Sequence, residues 1–190
     1  WKNSSAAITT QSIFSEYGFT EDYNIFKNAF ICNSIVNVEK KRSYISKNIL
    51  EIGSGTGTLT RFIKELYPNR RFTLVDLPFN IPFAFLNLIN RYEDASFLLP
   101  NEYEYKADSL VDFSFVTNNQ INLIPDSLFD SAVNAMSFQE MRKEDIEIYF
   151  ALLRRTLKKE NIFFCLNAVE KPMIVNGKEV AIRFSEYPWD

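Results

Sequence analysis

The chain has 190 residues, no histidine, and 24 acidic against 21 basic side chains, for a net charge of −3. That length suits one domain with a real apolar core. The near balance of charge offers no basic face for nucleic acid or an anionic membrane, and the missing histidine removes the commonest general base and the commonest transition-metal ligand.

The first 47 residues read as a helical cap or lid, with a helix starting near Thr20, where Glu21 and Asp22 suit a helix N-terminus. Its apolar positions are Phe26, Ala29, Phe30, Ile31 and Ile35. Residues 48–190 read as the core. Asn48 to Ile52 is a first strand. Leu59, Phe62, Ile63 and Leu66 mark one helix face, which Pro68 and Asn69 stop. Arg71 to Asp76 is a second strand, and Asn80 caps a helix running to about Tyr92. A loop extends through Pro100, and residues 110–117 are a third strand. Phe129 to Asn134 is a fourth strand. Ile146, Tyr149, Phe150, Leu153 and Leu157 form another helix face, and Ile162 to Leu166 is a fifth strand. Asn176-Gly177 between alternating flanks predicts a hairpin, with Val180, Ile182 and Phe184 on one face. No apolar run approaches the roughly 18 residues of a membrane span. No signal peptide is visible, so the expected location is cytoplasmic. Cys32 and Cys165 lie in apolar segments and read as reduced thiols.

Strands alternating with helices predict an α/β, doubly wound parallel sheet of Rossmann-like form. Ligands of such sheets bind beyond the carboxyl ends of the strands. There the sequence places Glu51, the bend Gly53-Ser54-Gly55-Thr56-Gly57, and Asp76. A phosphate loop would need Lys-Ser/Thr after its last glycine, and Thr58-Leu59 stand there instead. A dinucleotide fingerprint wants a glycine where Thr58 is, and Glu51 would repel a diphosphate. A cationic ligand reverses that sign. S-adenosylmethionine carries a sulfonium, an ammonium and one carboxylate. The helix N-terminus after Gly57 can receive the carboxylate, Glu51 favours the cationic end, Asp76 can bind ribose hydroxyls, and Leu77 can touch adenine.

Glu51-x-Gly53-x-Gly55-x-Gly57, Asp76 and Phe129-Asp130 resemble the class I S-adenosylmethionine-dependent methyltransferases over about residues 48–167. The resemblance implies a parallel order 3-2-1-4-5, an adenine-edge reader at Asn119 or Gln120, and cofactor contacts from Ser54 and Asn134. The run Asn134-Ala135-Met136-Ser137-Phe138-Gln139-Glu140-Met141, with Glu186 to Trp189 near the end, resembles the sugar O-methyltransferases. It departs from the Asn-Pro-Pro-Tyr type that acts on nitrogen. This implies methyl transfer to a hydroxyl of a sugar or sugar-containing metabolite.

For that chemistry Glu140 is the expected general base, a carboxylate in the absence of histidine. Gln139, Ser137 and Asn134 would orient the acceptor, and Tyr187 and Trp189 either stack on a sugar or pack on the domain. Phe138 and Met141 read as core. No dense carboxylate cluster appears. Asp108 and Asp112 stand alone, so no metal is expected. The alternatives are a methyltransferase of another small molecule and a non-catalytic binding module of the same fold. A start at Trp1, and the little room left after the hairpin for the final strands of a seven-stranded sheet, predict a fragment cut short.

Overall fold

The computed structural model describes residues 23–102, 110–175 and 178–189. The start near Thr20, Asp108 and the Asn176-Gly177 turn lie outside the described residues. The elements in chain order are α1 (Tyr23–Arg42), β1 (Asn48–Ile52), α2 (Thr58–Leu66), β2 (Arg71–Asp76), α3 (Ile81–Ile89), β3 (Phe97–Leu98) and β4 (Phe113–Thr117). They continue with β5 (Phe129–Ala135), α4 (Lys143–Thr156), β6 (Leu157–Leu166), β7 (Glu170–Val175) and β8 (Lys178–Arg183). Short 3₁₀ turns span Asn118–Leu123, Phe138–Glu140 and Phe184–Glu186.

Six strands form one sheet in the order β3-β4-β2-β1-β5-β6, and every neighbouring pair is parallel. The expected order is present from β4 to β6, and β3 adds an edge strand where a loop was expected. Two residues carry too little pattern to read as a strand. β6 starts at Leu157, directly after α4, rather than at Ile162. β7 and β8 pair as the expected antiparallel hairpin, with Val175 opposite Lys178.

Side chains alternate between the two faces of each strand. Ile49, Phe72, Leu74 and Val133 pack into a core with α1, α2 and α3. Leu50, Ile52, Val75 and Ala132 pack into a second core with α4 and Tyr187. Glu51 lies between Leu50 and Ile52, so it points to the side of α1 and α2. Register sets Ile52 beside Val75 and Asn134, which brings the ends of β1, β2 and β5 level. At the opposite end of the sheet, Asp130 accepts from the Lys47 and Asn48 amides at 2.8 Å each and from Lys158 Nζ at 2.6 Å.

α1 is held to the sheet by Ile31, Cys32 and Ile35 and by a buried ion pair. Arg70 Nη2 lies 2.6 Å from Glu39 Oε2, and each side chain is 5% exposed. Glu39 also accepts the Ser46 amide at 3.0 Å. Arg70→Met would strand Glu39 as a buried charge, a loss of about 3–5 kcal/mol for a broken buried pair. Urea unfolding should register it, and a change within experimental error would show that the pair contributes nothing. Both cysteines are free, and burial pushes the Cys32 thiol up to about 12. Among the described residues, no helix is long and apolar enough to cross a membrane.

Candidate functional site

The glycine bend folds as its composition demands. Gly53, Gly55 and Gly57 have φ of 72°, 54° and 70°, the left-handed region that glycine enters freely. The Gly53 amide donates to Val75 O at 2.8 Å, and the Gly57 amide to Ser54 O at 2.8 Å. The bend is thereby pinned to β2 and closed on itself. α2 starts next, with no side chain capping it. Of the amides of its first turn, Glu51 accepts that of Thr60.

Above the strand ends lies a cleft of about 1210 Å³. Of the expected residues, Glu51, Gly53, Ser54, Gly55, Asp76, Leu77, Ser137 and Glu140 line it. Gly57 sits behind it, where an added Cβ would meet Ala84 Cβ at 3.3 Å, so this glycine lets α2 approach α3.

Asp76 is held by three donors. The Gly55 amide reaches Oδ2 at 2.6 Å, and the Leu77 amide and Asn80 Nδ2 reach Oδ1 at 2.7 and 2.8 Å. A carboxylate has about four acceptor positions, so about one stays open. These donors leave Asp76 less free to accept the two ribose hydroxyls expected of it. This arrangement also explains Asn80, whose own backbone is helical and whose side chain caps nothing.

Glu51 is 4% exposed and accepts a short hydrogen bond from the Thr60 hydroxyl. Burial pushes its carboxyl up to about 7 against the Thr60 bond; the Asp76 charge adds to the rise and Lys27 opposes it. Lys27 and Asn28 of α1 line the cleft, and the sequence reading missed both. The signal was present: Asn28 falls on the same helix face as Ile31 and Ile35, a polar residue on an apolar stripe. Asn28 Oδ1 and Ser54 Oγ are buried without a partner.

Several expected positions shift. Asn119 and Gln120 do not line the cleft. Asn119 accepts from the Thr117 hydroxyl, and Gln120 caps the 3₁₀ turn and donates to Pro100 O at 2.8 Å. Asn118 and Ile121 face the cleft in their stead. Asn134 is fully buried. Its Nδ2 donates to Ile52 O at 3.0 Å and to Ser137 Oγ, and its Oδ1 accepts from Asn167 Nδ2 at 2.8 Å. It braces the loop after β5 rather than touching a ligand. Gln139 also faces away, accepting the Ala168 amide at 2.7 Å.

Glu140 reaches the cleft, but Lys171 Nζ lies 2.7 Å from its Oε1 and its side chain is 62% exposed. Met141 lines the cleft, whereas Phe138 is core. Tyr187 and Trp189 pack with Phe150, Phe163 and Phe184 outside the cleft, which settles their two readings as packing. Asp112 is tied to Lys64 at 2.8 Å and to Ser96 at the far end of β4. Among the described residues no group of acids and cysteines could hold a metal.

No family model matches the chain, and no curated protein matches it. Solved structures are similar to it at low identity. The DhpI–SAH complex is 16% identical over 94% of this chain and 76% of that one, with a TM-score of 0.49. The plantazolicin methyltransferase BpumL in complex with SAH is 13% identical over 90% and 53%, at 0.48. The pyocyanin biosynthetic protein PhzM is 18% identical over 62% and 29%, at 0.40. The chain thus spans under a third of PhzM and about half of BpumL. These are likenesses of backbone, and the chemistry is left to the residues of the cleft.

Proposed function

We propose that the chain binds S-adenosylmethionine in this cleft and transfers its methyl group to a hydroxyl of a small molecule. One observation carries the reading: a glycine-rich bend runs between two buried carboxylates, Glu51 and Asp76, that face one cavity. The carboxylate of the cofactor goes to the first turn of α2. The ammonium and sulfonium end goes to the side of Glu51, near the unpartnered Asn28 Oδ1. The ribose goes to the open position on Asp76, and adenine lies between Leu77 and the Asn118–Ile121 turn. A diphosphate would meet the Glu51 charge, which disfavours a dinucleotide. α1, the described part of the expected cap, carries Lys27 and Asn28 to the same cavity.

Methyl transfer from a sulfonium needs alignment of oxygen, carbon and sulfur above all, and alignment can lower a barrier by about 7–11 kcal/mol. Glu140, the carboxylate of the loop after β5, is the group to receive the acceptor's proton. Lys171 Nζ lies 2.7 Å from its Oε1, and Oε2 is the oxygen left to take that proton. The sugar acceptor implied by the short motifs draws no support from Tyr187 and Trp189, which do not line the cleft.

Calorimetry with S-adenosylmethionine tests the reading. Glu51 must be ionised to face a cation, and its carboxyl sits near 7. Affinity should therefore climb as pH rises through 7 and level off above, with proton release on binding below 7. Glu51→Gln should weaken binding and flatten that step. No heat and no thermal shift with S-adenosylmethionine would instead favour a binding module that has kept only the fold.

A further inference from the structure

The polar groups of the cleft divide into two sets. Two beside α1 and the bend are without a partner: Asn28 Oδ1 and Ser54 Oγ. Most of the rest are already satisfied by the protein. Asn80 is bonded to Asp76 at 2.8 Å, Asn87 to Thr56 O at 2.8 Å, Glu140 to Lys171 at 2.7 Å, and Arg142 to Asp145 at 3.0 Å. Apolar side chains line the cavity as well: Phe83, 60% exposed, Ile148, 53% exposed, and Met136 and Met141. Met136 is held at a φ of 65°, a left-handed conformation that a long side chain rarely adopts. Its amide is fixed to Leu166 O at 2.7 Å. The cavity of about 1210 Å³ exceeds the roughly 300–1,000 Å³ usual for one ligand, so a second molecule has room beside the cofactor.

We infer that the methyl acceptor is a flat, apolar molecule bearing a phenol-type hydroxyl, seated against Phe83, Ile148, Met136 and Met141. The inference rests on the methyltransferase reading and adds the class of acceptor. A sugar presents many hydroxyls, and each one set against this wall without a partner would cost binding. A planar ring loses nothing there, and thioether sulfurs pack well on aromatic faces. The pairing of Glu140 with Lys171 points the same way. A phenol ionises near pH ~10, well below a sugar hydroxyl, so it asks less of a carboxylate already paired with Lys171. In the transfer the phenol oxygen forms the new C–O bond as the C–S bond breaks. The bonding pair leaves with sulfur, the sulfonium becomes a neutral thioether, and the hydroxyl proton passes to Glu140 and on to solvent.

The test uses the full chain with 2-naphthol and methyl glucoside as probes. Calorimetry first establishes S-adenosylhomocysteine binding, and its absence would take down the methyltransferase reading and the inference with it. With that ligand bound, 2-naphthol should bind and change its fluorescence while methyl glucoside should not compete. Ile148→Asp, at an exposed position, should weaken naphthol binding by about tenfold or more, the equivalent of one lost apolar contact, and leave the affinity for S-adenosylhomocysteine unchanged. With labelled S-adenosylmethionine, the methyl should appear on the naphthol oxygen. A chain that binds S-adenosylhomocysteine but ignores naphthol, or that methylates the glucoside faster, overturns the acceptor class and leaves the methyltransferase reading in place.

Discussion

Gly53→Ala is expected to destabilise the chain by roughly 2–5 kcal/mol, the sum of overpacking at about 1–3 and a left-handed alanine at about 1–2. The new Cβ would lie 2.1 Å from Ser137 Oγ and 2.3 Å from Ser137 Cβ, at a φ of +72°. Ser137 cannot simply turn aside, because its Cβ moves only with the backbone. Its hydroxyl is also tied to Asn134 Nδ2 and lies 3.3 Å from Ile52 O. The whole loop after β5 would have to retreat, carrying Met136 and Glu140 with it and deforming both halves of the cleft. Gly55→Ala is the matched comparison. Nothing lies within 4 Å of its added Cβ, although its φ is +54°. It should pay only the left-handed cost of about 1–2 kcal/mol. Urea unfolding of the two variants measures the difference. Equal losses would mean that the approach of Ser137 to the bend has no energetic weight.

The parts of this molecule that were legible in its sequence are those set by local chemistry. β1 and β2 fall where short apolar runs end on Glu51 and Asp76, and the bend between them falls where three glycines permit left-handed backbone. The parallel sheet followed from the alternation of strands and helices, because parallel neighbours need a covered crossover, and its order from the resemblance that the glycine bend carries. What stayed hidden depends on contacts between distant segments. Asn134 looks like a ligand residue because it closes a strand at the right end of the sheet, yet the register puts it opposite Ile52. There it is consumed by Ile52 O, Ser137 and Asn167. Asn119 and Gln120 miss the cleft because the chain tightens into a 3₁₀ turn immediately after β4, which rotates Asn118 and Ile121 inward. A resemblance that names sequence positions does not register that rotation. The pairing of Glu140 with Lys171 needs the hairpin strand β7 to fold back on the loop after β5, 31 residues away in sequence. Tyr187 and Trp189 could stack on a sugar or pack on the domain, and their ring contacts with Phe150, Phe163 and Phe184, distant in sequence or outside the cleft, are those of packing.

Asp76→Asn should cost cofactor affinity roughly 10–100-fold, because a hydrogen bond to a charged acceptor contributes about 1.5–3 kcal/mol. The substitution preserves size, so packing is unchanged and only the acceptor chemistry differs. An amide has one oxygen and one NH₂ group. If its nitrogen turns toward Gly55, two N–H groups face each other across a contact that is now 2.6 Å. If it turns the other way, the conflict is with both the Leu77 amide and Asn80 Nδ2, now 2.7 and 2.8 Å from Oδ1. Neither orientation satisfies the bend, so the acceptor position on Asp76 proposed for a ribose hydroxyl would be lost together with the shape of the loop beside it. Asp112→Asn separates the two effects. Asp112 also gathers three donors, from Lys64 Nζ at 2.8 Å and from the Ser96 amide and hydroxyl at 3.0 and 2.8 Å, but it does so at the far end of β4. Its burial alone would raise its carboxyl; Lys64 and Ser96 overcome that and hold it down at about 2. Its contribution to stability is therefore present above the ordinary carboxylate range and fades as pH falls toward 2. Asp112→Asn should lower the unfolding midpoint at neutral pH and leave S-adenosylmethionine affinity as it was, whereas Asp76→Asn should lower both. Should the two variants bind the cofactor equally well, Asp76 is a strand-end brace like Asp112, and the ribose has to be held elsewhere in the cleft.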